Sequence, residues 1–283
     1  MTTNPGILYI VATPIGNLED ITLRALRVLG EVDLIAAEDT RHTLKLLNAH
    51  GISRPLLSYH EHNMRTQGRR LIRELLGGKS LALVTDAGTP AISDPGLDLI
   101  RLAVSENIQV SPIPGPSAVT TALTVSGLAV QPFIFLGYPP NRPAARRKFF
   151  AKYANAEETL VLFESPRRFG ASLKDMRKIL GNRRVAVTRE LTKIHEEIFR
   201  GSLDEAIDRW PREARGEITL LAAGAQSGRP QPDDSFLEQL RVCLTSARRP
   251  LKEIAAEVAQ EFGISKRFVY QEALKIKREL SGR

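Results

Sequence analysis

In the stretch FESPRR, the carboxylate of Glu164 stands three and four residues ahead of two guanidinium groups, Arg167 and Arg168. A second stretch, TRELTKIHEE, repeats that composition with Arg189, Glu190 and Lys193. Clusters of this kind form structural ion pairs, or they grip a phosphate while keeping a base near a hydroxyl. The residues alone leave both uses open. A third stretch, RPAARRKFFAKY, sets Arg142, Arg146 and Arg147 among Phe149, Phe150 and Tyr153. On a helix such aromatics are core residues first, and surfaces for stacking bases only second.

Four loops share another chemistry. ATPIGNLEDIT (12–22), AEDTRHT (37–43), TDAGTPAISDPG (85–96) and PIPGPSAV (112–119) are rich in Gly, Pro and small residues, and the first three carry carboxylates. Gly and Pro let a backbone approach a ligand closely, and the free amides opening the next helix hold carboxylate or hydroxyl groups. None of the loops matches GxGxxG or a P-loop, so neither a dinucleotide nor a nucleoside triphosphate is indicated.

These loops need elements to carry them. Apolar runs at 8–12, 32–37, 55–59, 81–84 and 108–112 alternate with amphipathic patterns at 23–29, 43–49, 66–76, 97–105 and 117–125. The alternation predicts an α/β domain, residues 1–126, with a mainly parallel sheet covered on both faces. Each of the four loops then follows a strand, at the end of the sheet where open α/β folds bind ligands. A second series of strands, at 133–136, 159–163, 184–188, 197–200 and 217–222, predicts a second α/β domain over 127–224. Its sheet is expected to be mixed, because the segment after 188 is too short for a helical crossover. Two such domains imply a cleft between them.

Residues 225–235 read as a linker by composition, and 236–283 as a small helical domain. Within it Ala259, Gly263 and Val269 have the spacing of a helix-turn-helix, with Ser265 placed to cap the second helix. Many helical hairpins satisfy that pattern, so nucleic-acid contact and plain structural capping remain equal readings.

The formal net charge is +8, and it is unevenly spread. Residues 1–130 hold 11 Lys and Arg against 12 Asp and Glu, residues 131–230 hold 19 against 12, and residues 231–283 hold 10 against 8. A nearly neutral first part suits a small molecule, and a basic second part suits a polyanion, most simply nucleic acid. The single cysteine, Cys243, can form no internal disulfide and sits in an apolar helical pattern. The five histidines form no ligand-spaced cluster beyond His60 and His62, so no metal is expected. No apolar run approaches the roughly 18 residues that span a bilayer, and the first charged residue is Glu19; a cytoplasmic protein with no membrane contact is the expectation.

Taken in order, LYIVATPIGNLEDITLRAL, EDTRHT, DAGTPAISDPG, PIPGPSA, FESPRR and RELTKIHEE closely resemble the small-subunit ribosomal RNA methyltransferase I family, within the tetrapyrrole methylase superfamily. The resemblance covers about residues 7–224 and the helical tail. It implies a two-domain α/β enzyme, usually a homodimer, that binds S-adenosyl-L-methionine between its domains. The implied reaction is 2′-O-methylation of a cytidine ribose in the decoding centre of 16S rRNA in the small ribosomal subunit.

Carried over residue by residue, the resemblance implies a cofactor wall of Pro14, Ile15 and Gly16, then Asp86, Ala87, Gly88 and Ala91, then Ser117 and Ala118. Phe163 and Leu221 would complete it from the second domain. The sequence departs from the family at Arg167, where members often carry His, so an imidazole base is not available there. A sulfonium is already a good leaving group, so the enzyme must align the ribose oxygen and remove a weakly acidic proton. The candidates for that base are Glu164, Glu190 and Lys193, with Glu38, Asp39 and Asp94 from the first domain. Lys193 would need a depressed pKa, which cationic neighbours could supply. Arg41, Arg142, Arg146, Arg147, Arg167, Arg168 and Arg189 are the candidates for clamping RNA phosphates. Two rivals stand beside this reading: a methylase of a carboxylate-rich tetrapyrrole intermediate, and a ligand-sensing regulator whose helical tail binds DNA.

Overall fold

The structure is a computed structural model, and it describes residues 4–225, 234–246, 249–262 and 266–281. Residues Met1–Gly224 make up one compact unit and Ala225–Arg283 another.

The first unit holds two five-stranded sheets. The first is built from β1 (Ile7–Val11), β2 (Leu34–Ala37), β3 (Leu56–Ser58), β4 (Leu81–Val84) and β5 (Gln109–Ile113), in the order β3-β2-β4-β1-β5. Every pairing in it is parallel. The crossovers are helices α1 (Leu23–Glu31), α2 (Thr40–Ala49), α3 (Met64–Leu76) and α4 (Leu97–Ser105). All four residues of β4 are buried, as a strand covered on both faces requires. Two clusters form those faces, one around Leu29, Ile35 and Leu47, the other around Leu71, Leu75 and Leu99. Local chemistry sets the helix starts: the Thr22 hydroxyl accepts from the Ala25 amide, and the Asp39 carboxylate accepts from the Arg41 amide.

Helix α5 (Ala118–Ser126) follows β5. The second sheet comprises β6 (Phe133–Phe135), β7 (Thr159–Glu164), β8 (Arg184–Arg189), β9 (Glu197–Ser202) and β10 (Ile218–Ala222), in the order β6-β7-β10-β8-β9. Only β6 and β7 are parallel; the other neighbours run antiparallel, so the sheet is mixed. Helices α6 (Pro143–Ala151), α7 (Phe169–Leu180) and α8 (Leu203–Arg209) cover it. Phe150 and Phe169 are fully buried there, with Phe149 and Tyr153 packed beside them. The aromatics of the basic run therefore belong to this core, Phe150 wholly and Phe149 and Tyr153 in part.

Helix α5 departs from the expected division at residue 126. It packs against β7, β8, β9 and β10, although it follows directly on the first sheet. Val119, Ala122 and Leu123 share an apolar cluster with Val161, Ala186 and Leu221 of the second sheet and with Ile15 of the first. The helix has Thr or Ser at four of its nine positions and an apolar stripe that either sheet could accept, so its periodicity does not say which sheet it covers.

The second unit consists of α9 (Asp234–Ser246), α10 (Leu251–Glu261) and α11 (Lys266–Ser281) around Phe236, Leu240, Ile254, Val258 and Val269. Ala259 and Val269 are buried. The turn glycine Gly263, the cap Ser265 and most of the 225–235 linker lie outside the described residues. Cys243 packs at the edge of that apolar cluster.

Candidate active site

The loops after β1 and β4 are joined. Thr13 and Gly88 exchange backbone hydrogen bonds of 2.9 and 3.0 Å, and the Thr13 hydroxyl donates to the Thr85 carbonyl at 3.0 Å. Gly88 has φ +80°, a conformation that glycine adopts freely and other residues rarely do. The Asp39 amide, at the end of β2, donates to the Asp86 carboxylate at 3.1 Å, and the Asp86 amide donates to Glu38 at 3.4 Å. Three loops thus form one shelf at the C-terminal edge of the parallel sheet.

Above that shelf lies a cavity of about 620 Å³ between the two sheets. This is within the range of sites for small organic ligands, about 300–1,000 Å³. The first half contributes Ile15, Asp86, Ala87 and Gly88, with Glu38 and Asp94 at one side. Helix α5 contributes Ser117, Ala118 and Val119. The second half closes it with Phe163, Glu164, Thr188 and Leu191, and with residues 216–219 at the start of β10.

The electrostatics divide the cavity. Burial, reinforced by the charges of Glu38 and Asp86, pushes the Asp94 carboxyl up to about 7. Burial also raises Glu38, although the hydrogen bond from the Asp86 amide acts against it. Like charges crowded in a partly dry site cannot all ionise easily, so this group holds a proton near neutrality. On the other side, no side chain caps α5, and the first amides of a helix have no partner within it. Those amides fit a carboxylate, while the acidic cluster fits a cation.

Of the residues proposed for the cofactor, Ile15, Asp86, Ala87, Gly88, Ser117, Ala118 and Phe163 line this cavity, and so do Glu38, Asp94 and Glu164 from the proposed bases. Pro14, Gly16, Ala91 and Leu221 do not. Leu221 lies fully buried in the cluster beneath α5. Ala91 bends the 85–96 loop, with φ +70°. Gly16 sits against residues 191–193: a Cβ there would fall 2.5 Å from Lys193 Cγ, 2.7 Å from Thr192 Oγ1 and 2.8 Å from the Leu191 carbonyl oxygen.

Several assignments need correction. Lys193 is paired with carboxylates, Glu190 at 3.0 Å and Glu217 at 3.3 Å. Burial opposes its charge, but those hydrogen bonds prevail and hold its ammonium above the usual range. Glu190 is tied down as well. The Glu217 amide, and then Lys193, keep its carboxyl below the usual range, a poor setting for a base. Asp39 is held at about 2 by its hydrogen bonds from Arg41.

Arg146 is buried, with Nη2 2.7 Å from Asp175 Oδ2, so it braces α6 against α7 and faces no RNA. Arg147 joins the same carboxylate at 3.1 Å. Arg168 holds Glu164 and the Pro139 carbonyl, and Arg189 holds Glu197. Arg41 pairs with Asp39 on the surface. Arg142 and Arg167 are exposed.

The sequence reading missed Tyr138, Thr188, Gly216, Glu217 and Thr219, all of which line the cavity. The one signal for the first was its place in GYPPN, a turn directly after a strand. Among the described residues no group of three or more His, Cys, Asp or Glu is placed to hold a metal ion. No described helix is long and apolar enough to cross a membrane.

Two α/β halves with a ligand cleft at the ends of a parallel sheet define a class, and residues 7–207 match it: the chain belongs to the family described as Tetrapyrrole (Corrin/Porphyrin) Methylases. The structure is similar to that of a cobalt precorrin-4 methyltransferase, with a TM-score of 0.58 at 19% identity, covering 77% of this chain and 94% of that one. Within the class it belongs with the ribosomal RNA small subunit methyltransferase I proteins. It is 47% identical to the one from Halalkalibacterium halodurans over 272 residues, 94% of this chain and 93% of the relative. It is also 47% identical to the one from Thermotoga maritima over 222 residues, 78% of this chain and all of the relative. That relative is about as long as the first unit by itself. The chain is therefore a methyltransferase.

Proposed function

We propose that the protein transfers a methyl group from S-adenosyl-L-methionine to the ribose 2′-hydroxyl of a cytidine in the decoding centre of 16S rRNA, within the small ribosomal subunit. The observation that carries this reading is the pairing, in one cavity, of a backbone shelf and helix start suited to an amino-acid-bearing nucleoside with a carboxyl that holds its proton loosely near neutral pH. Names of close relatives supply the substrate class.

The residues present fit the cofactor. The α5 amides at Ala118 and Val119 would hold its carboxylate, Asp86 its amine or a hydroxyl, and Ile15, Ala87 and Leu191 its apolar surfaces. When bound, the cofactor supplies an electrophilic methyl group on a sulfonium. The rest of the chemistry is the chain's own. Asp94, once ionised, accepts the 2′-hydroxyl proton at its carboxylate oxygen, and its value near 7 suits a general base working at neutral pH. Glu38 and Asp86 act through Asp94 by raising its proton affinity. Exposed Arg142 and Arg167 meet RNA phosphates. The reading includes a homodimer working in the cytoplasm, which light scattering tests against a monomer mass of 31.3 kDa.

The test of the reaction is transfer of a labelled methyl group to small ribosomal subunits from cells lacking this gene, followed by nucleoside analysis. Label in 2′-O-methylcytidine is expected. Label in a base, or in another nucleoside, overturns the assignment.

A further inference from the structure

Tyr138 is 58% exposed, yet it lines the cavity. A tyrosine left this open at the mouth of a cleft is unusual, because its ring is worth more buried. Its backbone is held on both sides. The Gly137 carbonyl accepts from the Phe163 amide at 3.1 Å, and the Pro139 carbonyl accepts from Arg168 Nη2 at 2.9 Å. One side of the ring is backed by Phe163, centroids 5.5 Å apart at 54°, and Phe163 is backed by Phe135 at 5.0 Å.

Across the mouth stands the 92–94 segment. A Cβ on Gly137 would lie 3.3 Å from Ser93 Oγ, so the two lips nearly touch there. Ile92 on that lip is 46% exposed, and Asp94 follows two residues later; both line the same cavity. The mouth therefore has an open, anchored aromatic ring on one lip, and an open aliphatic side chain with the proposed base on the other. Exposed Arg167 follows Phe163 by four residues on the aromatic side.

We infer that Tyr138 is the stacking platform for the target nucleobase, which leaves its RNA stack and lies against the ring opposite Ile92, presenting its ribose to Asp94. Unstacked bases of RNA loops are commonly received by aromatic side chains, which fixes the position of the attached ribose. The ring is the working part; the hydroxyl is secondary. Burial, followed by the charges of Asp94, Glu217 and Glu164, raises its pKa, so it stays neutral at physiological pH. This inference rests on the proposed reaction at the same site and adds a substrate-positioning residue to it.

The test compares wild type, Tyr138→Phe and Tyr138→Ala in two assays: methyl transfer to small subunits, and equilibrium binding of the subunits in the presence of S-adenosylhomocysteine. Tyr138→Ala is expected to raise KM and the subunit Kd about 5- to 150-fold, the range of one lost base–aromatic stack. Its affinity for S-adenosylhomocysteine and its melting temperature should not change, and Tyr138→Phe should stay within about twofold of wild type, since a phenyl ring offers the same stacking face. Equal KM and Kd for Tyr138→Ala would overturn the inference, as would a Phe variant as impaired as the Ala variant. Failure of wild type to methylate or bind subunits would instead remove the reaction and this inference together.

Discussion

Asp86 and Asp94, two carboxylates of the same 85–96 loop, stand closely enough in the cavity that the charge of Asp86 raises the proton affinity of Asp94. Asp86 is itself fixed by the amide of Asp39, 47 residues earlier in the chain. The least acidic carboxyl of the site thus owes its character to burial first and to two neighbours second.

Asp94→Asn should lower kcat by about 10²- to 10⁴-fold, the span of a lost general base, with cofactor affinity retained. In wild type the rate should rise with pH through about 7 as Asp94 ionises, and this limb should vanish in the variant. Stability gives an independent reading. A carboxyl whose folded pKa is raised binds its proton more tightly in the folded state, so stability falls as pH climbs from about 4 to about 7. Asp94→Asn should therefore raise the melting temperature at pH 8 and leave no such difference below pH 4. A difference independent of pH would show that Asp94 does not titrate in this window.

Two arginines of the same apparent type should behave oppositely. Arg146→Ala leaves the Asp175 carboxylate without its closest partner in a buried site and should cost about 3–5 kcal/mol of stability. Arg167→Ala should leave the melting temperature unchanged, weaken subunit binding, and reduce the salt slope of binding by about one. Thermal denaturation and binding at several salt concentrations separate them.

Glycine replacements should split as well. Gly16→Ala drives a methyl into the Lys193 and Thr192 side chains and the Leu191 carbonyl and should destabilise the fold by about 1–3 kcal/mol. Gly30→Ala, inside α1 with nothing within 4 Å of the new methyl, should stabilise it by about 0.4–1 kcal/mol. Chemical denaturation of both variants checks the pair.

Removing residues 225–283 should leave cofactor affinity intact, because the described residues that line the cavity belong to the first unit. The full-length match to a relative of similar size to that unit points the same way. Calorimetry on the shortened protein measures this directly, and a lost affinity would mean that the tail supports the cavity.

The strands and the three joined loops were legible because a buried parallel strand is a short apolar run and a ligand loop needs Gly and Pro. Side-chain partnerships were not. Arg146 and Arg167 look alike in a basic stretch, and only the packing of α6 on α7 turns one inward to Asp175. The run around Lys193 is rich in both signs of charge, and only the fold brings Glu217 to it from 24 residues away. Tyr138 carried no spacing signal at all. Its importance comes from the Ser93 loop opposite, which belongs to the other sheet.

Helix α5 begins at the ligand cavity and lies along the second sheet, while the strand before it belongs to the first. Neither half can melt without exposing Val119, Ala122 and Leu123 or the surfaces they cover. Residues 1–224 should consequently unfold in a single cooperative step, and neither half should survive as an isolated fragment. A ligand that grips only the start of α5 would then protect both sheets against proteolysis together.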